Sequence, residues 1–219
     1  MKSDVLGFLE QLKEHNDRQW FQQNKTRYDE ARQEVEQMVH SVIPGIAKYD
    51  PAIRYIEAKD CMFRIFRDVR FSKDKSPYKT NMGAWITPVG RKSFGPGYYI
   101  HIQPGESFLA AGVYMPAPDA LKKLRSEVYY NIVEFKGILE DKKVKKYFQG
   151  LSEMDKAKLA PKDFPKDFQD MDWLKHRHYI LSCPLTDELI ETDDLAGWIL
   201  KVFEVVQPFQ QFLRRALEG

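Results

Sequence analysis

Between Arg64 and Asn81 the chain reads RIFRDVRFSKDKSPYKTN, its densest run of groups able to hold an anion. From Met62 to Lys92 eight cations (Arg64, Arg67, Arg70, Lys73, Lys75, Lys79, Arg91 and Lys92) face two acids, Asp68 and Asp74. That is a local surplus of six in a chain of net charge +2, so the rest of the molecule is mildly acidic. Charge of one sign concentrated in such a background either faces water or holds an anion. Arginine supplies a planar fork, lysine a point charge, and Ser76, Tyr78 and Thr80 add hydroxyl donors. The predicted ligand-binding residues here are Arg64, Arg67, Arg70, Lys75, Tyr78 and Lys79, with Asp68 as a candidate proton-transfer group.

How these side chains meet depends on the backbone. An extended segment puts Arg64, Asp68 and Arg70 on one face and leaves Arg67 among Ile65, Val69 and Phe71. An unpaired guanidinium there is costly, so Arg67 either pairs with an internal carboxylate or lines a pocket and meets an anion. A helical turn instead gathers Arg64, Arg67, Asp68 and Phe71. In both cases Asp68 is placed to form a bidentate pair with an arginine. SKDKSPYKTN is rich in turn residues and reads as a loop.

Two further leads lie outside the basic run. Asn24 interrupts an otherwise apolar helical stripe and needs hydrogen-bond partners, either in a polar pocket or on a neighbouring backbone group. His101 sits in YYIHIQ; a two-residue turn at Gly105-Glu106 places it near Ala110 and Gly112, either beside a cavity or satisfied by a neighbour. It is the second candidate for proton transfer. His176 and His178 share a strand face, but two histidines without a fixed third ligand do not make a metal motif, and no metal site is assigned. The two cysteines, Cys61 and Cys183, have no CxxC spacing and no partners of a nucleophile. No phosphate loop, dinucleotide fingerprint, nucleophile elbow or HExxH element occurs, and the sequence names no cofactor.

The elements that must position these groups read as follows. Ser3 caps a helix to Glu14, and Asn16 starts a longer one whose stripe runs Phe21, Asn24, Tyr28, Ala31, Val35, Met38, Val42 and ends at Pro44-Gly45. Ala52–Lys59 and Cys61–Phe71 are strand or irregular. Met82–Val89, Tyr98–Gln103 and Phe108–Tyr114 are three strands joined by turn-rich links, an antiparallel meander. Pro116–Tyr130 and Asn131–Phe148 are helices, Leu151–Leu174 is irregular, and His178–Cys183 is a further strand. Asp193 or Asp194 caps a long final helix kinked by Pro208. The expected fold is α+β, a single domain over residues 1–219 with a central antiparallel sheet and N-terminal and C-terminal helices packed on it. At 219 residues, 43% hydrophobic and 30% charged, the chain has ample core for that. No apolar run approaches the length that spans a bilayer, and the N-terminus lacks the apolar stretch of a secretory leader, so the expected location is cytoplasmic and no membrane partner is expected.

The run Arg64, Arg67, Asp68, Arg70, Phe71, Lys75, Tyr78 resembles the R-x-x-R-D-x-R-F motif, followed by Lys and Tyr, of an uncharacterised bacterial and fungal family, domain of unknown function 2461. N-D-R-Q-W-F at Asn16 to Phe21 and the S-P-Y-K-T continuation fit as well, so the resemblance spans nearly the whole chain. It implies a single-domain α+β protein of unassigned activity in which these charged positions are the defining ones, and it supplies no substrate. From the residues themselves the leading expectation is a protein, enzymatic or not, that binds a phosphorylated or carboxylated small molecule. The alternatives are a nucleic-acid module, in which Phe66, Phe71, Tyr78 and Trp85 stack bases, and a structural or interaction protein whose arginines form internal ion pairs.

Overall fold

The computed structural model describes residues 4–218. In chain order its helices and strands are α1 (Val5–Glu14), α2 (Arg18–Gln23), α3 (Lys25–Ile46), α4 (Ala58–Cys61), β1 (Met82–Ile86), β2 (Gly97–Ile102), β3 (Phe108–Val113), α5 (Pro118–Tyr130), α6 (Ile132–Glu140), α7 (Lys142–Tyr147), α8 (Met171–Leu174), β4 (Tyr179–Pro184), α9 (Asp187–Ile190), α10 (Leu195–Val205) and α11 (Gln207–Glu218). The fold is α+β, with one antiparallel meander in the order β1-β2-β3-β4. The chain divides into two compact units, one made of residues up to Arg91, Tyr99–Leu109 and Pro184–Lys201, the other of Lys92–Tyr98, Ala110–Cys183 and the residues from Val202.

In the first unit α1 packs on α3, and α3 packs on α4 and β1. The stripe read from the sequence is the buried face: Phe21, Tyr28, Ala31, Val35, Met38 and Val42 all lie inside, against Phe8, Leu9 and Leu12 of α1. Fully burying each such large side chain contributes about 1.5–3 kcal/mol. The helix carrying the stripe differs from the expected one at both ends. Asp17, not Asn16, caps α2, its carboxylate accepting from the backbone of Gln19 and Trp20. The helix then breaks at Asn24, and α3 continues through Pro44 to Ile46. Pro44 is tolerated because its missing donor would serve the carbonyl of His40, which lies on the exposed side of the last turns. Residues 52–59, expected to be strand or irregular, hold the end of a 3-10 turn at Pro51–Ile53 and the start of α4. The Ser3 cap falls outside the described residues; Asp4 caps α1 by accepting from Gly7.

Residues 62–84 form an irregular antiparallel hairpin. Met62 bridges Ala84 and Phe66 bridges Tyr78. Between them the backbone of Phe63 donates to Gly83 and that of Lys79 to Ile65, at 2.9 and 2.8 Å, and just beyond the second bridge Arg67 donates to Pro77 at 2.9 Å. The link from β2 to β3 is a turn across Gln103–Glu106, closed by the Glu106 amide on the Gln103 carbonyl at 3.0 Å. Gly105 takes a φ of +70° there, after Pro104, as a type II turn requires. The Ser107 hydroxyl donates to the Gln103 carbonyl and accepts from its amide, at 2.7 and 2.8 Å, which locks Gln103 at the end of β2.

In the second unit α11 packs on α5 and α6, and Tyr98 meets Phe203 with ring centroids 5.0 Å apart. Arg215 ties Glu127 and Glu134 together across those helices. The helix expected over Asn131–Phe148 is two, because Asp141 leaves helical geometry and caps α7 by accepting from Lys143 at 2.7 Å. The kink expected at Pro208 is a full break: Pro208 opens α11, where an absent amide donor costs nothing. No described helix is long and apolar enough to cross a membrane.

Candidate functional site

The basic run divides into two parts with opposite electrostatic character. The first is the hairpin loop beyond Phe66, where nearly every cation is spoken for within the loop. Arg67 is ion-paired to Asp74, donates to the Ser76 carbonyl at 3.2 Å and to the Ser72 hydroxyl at 3.4 Å. Asp74 also accepts from the Ser76 amide and hydroxyl at 2.9 and 2.6 Å, and these bonds, with Arg67 behind them, hold its carboxyl down at about 2. Arg70 makes the bidentate pair expected of Asp68, at 2.9 and 2.6 Å, which holds Asp68 below the usual carboxylate range. Lys75 donates to the Val69 carbonyl at 3.0 Å. The loop is therefore a clasp that closes on itself, with Phe71 at its tip 96% exposed.

The second part sits where the hairpin joins α3. Arg64 and Lys79 border a narrow cleft that Tyr28, Arg32, Phe63, Asn81 and Gly83 also line. Neither the Arg64 nor the Lys79 side chain has an ion-pair or hydrogen-bond partner among the described residues, and Lys79 lies over the Phe63 ring at 5.4 Å. Burial, and then repulsion from Arg64, holds the Lys79 ammonium below its ordinary value. Arg32 has only a loose contact with Glu36 at 3.8 Å. A larger groove of about 590 Å³ runs along the other side of Arg32, between α3 and Glu57–Lys59. There the charges cancel: Asp29 pairs with Lys25 and Glu57 with Lys59.

Tyr78 and Asn24 do not line the cleft. The Asn16 amide pins the Tyr78 backbone from both sides, donating to its carbonyl and accepting from its N–H, each at 3.0 Å. The Tyr78 ring is 5% exposed and stacks on Phe21 with centroids 4.0 Å apart. Asn24 is the hinge between α2 and α3; it donates to the Trp20 carbonyl at 3.0 Å and accepts from Arg27 at 3.4 Å, the backbone-satisfying alternative of its two readings.

His101 stacks on Phe108 at 4.6 Å, so an aromatic ring fills the space beside it. Its Nδ1 lies 2.9 Å from the Tyr99 hydroxyl and its Nε2 3.0 Å from Gln103 Oε1. Burial holds the imidazole below its ordinary value, so it is neutral at pH 7. His176 and His178 serve the backbone, at the Ser152 carbonyl and the Met115 amide. Among the described residues no group of three or more His, Cys, Asp or Glu is arranged to hold a metal ion. Burial pushes the thiol of Cys61 up to about 12 and that of Cys183 to about 11, away from thiolate chemistry.

Of the cleft lining, sequence reasoning singled out Arg64 and Lys79 but not Arg32, Tyr28 or Asn81, and it did not anticipate Tyr99 and Gln103 as the partners of His101. A signal existed for some of them. In YYIHIQ, Tyr99, His101 and Gln103 alternate with Tyr98, Ile100 and Ile102, a period-two polar face on an otherwise buried strand. Tyr28 and Arg32 are one helical turn apart, which puts them on one edge of α3.

Comparison with curated proteins and with solved structures returns no match. A family model described as "Conserved hypothetical protein (DUF2461)" matches residues 4–212, nearly the whole chain, and the protein belongs to that family.

Proposed function

We infer that the chain binds an anionic small molecule, phosphorylated or carboxylated, in the cleft between Arg64 and Lys79. The observation that supports this reading is the juxtaposition of two cations, one half-buried, whose side chains have no hydrogen-bond or ion-pair partner among the described residues, while Arg67 and Arg70 of the clasp are paired. Holding like charges together in a partly desolvated place is unfavourable, and a bound anion converts that repulsion into attraction. Arg64 offers a fork and Lys79 a point charge, with Asn81 and the Tyr28 hydroxyl in reach of the same cleft for neutral hydrogen bonds. Arg67, Asp68, Arg70 and Lys75 serve this site indirectly, by closing the clasp that fixes where the hairpin strands run.

A nucleic-acid reading has one observation in its favour, the exposed Phe71 ring beside Arg70 at 5.8 Å. Arg70 is already neutralised by Asp68 and Lys75 is tied to Val69, so few phosphate contacts remain for it. A thermal-shift screen separates the two. Small phosphorylated or carboxylated compounds should raise the melting temperature of the wild-type chain and not that of Arg64→Ala. Stabilisation by oligonucleotides alone, lost with salt and with Phe71→Ala, would replace the small-molecule reading.

A further inference from the structure

The link between β3 and α5 holds a backbone conformation that its own sequence disfavours. It reads Tyr114-Met115-Pro116-Ala117, and Met115 sits at a φ of +47°, in the left-handed region. Asp155, the other described non-glycine residue at positive φ, has a short polar side chain that can bond locally; the thioether of Met115 offers no such compensation. Pro116 adds a second penalty, because its ring crowds the residue before it and pushes that residue toward extended geometry. A conformation opposed on both counts persists only where its surroundings impose it.

The Met115 N–H donates to Nδ1 of His178 at 3.0 Å, and the same imidazole stacks on the half-exposed Tyr114 ring with centroids 5.0 Å apart. That bond fixes both the tautomer and the charge of His178. An amide N–H only donates, so Nδ1 is bare and the ring proton is on Nε2; an imidazolium, protonated on both nitrogens, has nothing to offer the amide. His101 and His176 differ in this respect. His176 Nδ1 meets the Ser152 carbonyl at 3.1 Å, and His101 meets an amide oxygen and a hydroxyl, so protonation strips neither of an obligatory donor. The titratable and charged groups that face His178 are Tyr114 from the β3–α5 link, Asp155 from the segment between α7 and α8, and Arg177 beside it. Asp155 and Arg177 pair with each other at 3.3 Å and act on the ring in opposite senses, so burial leads and keeps it neutral at pH 7.

We propose that the β3–α5 link is a pH-operated latch: neutral His178 holds Met115 in its left-handed turn, and a proton on His178 releases it. Once the acceptor is lost, Nδ1–H and the Met115 N–H point at each other, and Met115 relaxes toward the extended geometry that Pro116 favours. Tyr114 leaves its stack on the ring as the turn opens. All the parts (Tyr114, Met115, Asp155, Arg177 and His178) belong to the second compact unit, and none of them lines the anion cleft. Release occurs below the ordinary histidine value of about 6.5, because the buried ring takes up its proton late.

The test follows the uniformly ¹⁵N-labelled full chain by NMR from about pH 8 to about pH 5, the range in which a histidine changes charge. Long-range ¹H–¹⁵N spectra report the protonation of each His178 nitrogen, and hydrogen exchange reports the Met115 amide. The expected result is a neutral His178 protonated at Nε2 at the alkaline end. As it becomes an imidazolium, the Met115 protection factor should fall roughly tenfold or more with the same midpoint, while the amides of β3 and β4 stay protected. His178→Asn puts an amide oxygen, which accepts at every pH in the range, near the position of Nδ1, and should abolish the pH dependence at Met115. Met115 protection that does not follow the His178 titration, that keeps its pH dependence in His178→Asn, or that falls only together with the whole sheet overturns the latch. A ring that stays neutral across the range overturns it as well.

Discussion

The clasp of residues 67–77 and the cleft between Arg64 and Lys79 are built from the same residue types a few positions apart, yet they differ in what their charges already hold. In the clasp, Asp74 and Asp68 neutralise Arg67 and Arg70, and backbone carbonyls take up Lys75 and the rest of the Arg67 fork. In the cleft, Arg64 and Lys79 line the same wall and repel each other, and neither side chain has an ion-pair or hydrogen-bond partner among the described residues. Charge density along the sequence therefore marks the region, while the state of satisfaction separates its two parts. An arginine whose donors are all used stabilises a loop; one whose donors are unused, beside a half-buried lysine, is available to a ligand.

Substitutions that touch the two regions separately sharpen this contrast. The largest effect is expected from Lys79→Met, which should weaken phosphate binding roughly tenfold to hundredfold, since a hydrogen bond to a charged group is worth about 1.5–3 kcal/mol. The same variant should melt at or above the wild-type temperature, because it removes a half-buried cation repelled by Arg64. A calorimetric titration and a melt on one sample read both. Next is Asn16→Ala, which strips two hydrogen bonds from the Tyr78 backbone and should cost about 1–3 kcal/mol in chemical denaturation. Arg67→Ala should lower the melting temperature by a few degrees through the opened clasp while phosphate affinity is kept.

The smallest effect is a pH dependence with two separate windows. His101, His176 and His178 are all held below their ordinary values, chiefly by burial. The folded chain keeps them neutral while the unfolded chain protonates them, so their contribution is complete above about 6.5 and is lost as pH falls below it. Asp74, held down at about 2, behaves as a depressed carboxylate: its contribution persists well below the histidine window and fades only as pH falls toward 2. Melting curves of Arg67→Ala should match the shape of the wild-type profile in the histidine window and depart from it only in the acid one.

Much of the fold was legible because alternation and turn chemistry act locally. β1, β2, β3 and β4 lie where short apolar, strand-prone runs between turn-rich links put them, and the buried stripe from Phe21 to Val42 follows helical spacing. The breaks at Asn24 and Asp141 were not legible, because both residues also occur inside helices and only their side-chain bonds to Trp20 and Lys143 reveal the interruption. At the site, residue types were readable and partnership was not. Whether Arg67 or Arg64 is used up depends on a turn that brings Asp74 and Ser76 back to residue 67, and nothing in the spacing fixes that turn. That Arg32 and Tyr28 line the cleft was unreadable for the related reason that α3 reaches the hairpin only in three dimensions.

The most direct test of this account is a side-by-side calorimetric titration of inorganic phosphate into the wild-type chain, Arg64→Ala and Arg67→Ala, with each variant's folding checked by its melt. The account predicts binding in the wild type, its loss in Arg64→Ala with stability unchanged, and its retention in a less stable Arg67→Ala. Binding that survives Arg64→Ala and disappears with Arg67→Ala would place the anion in the clasp and contradict it.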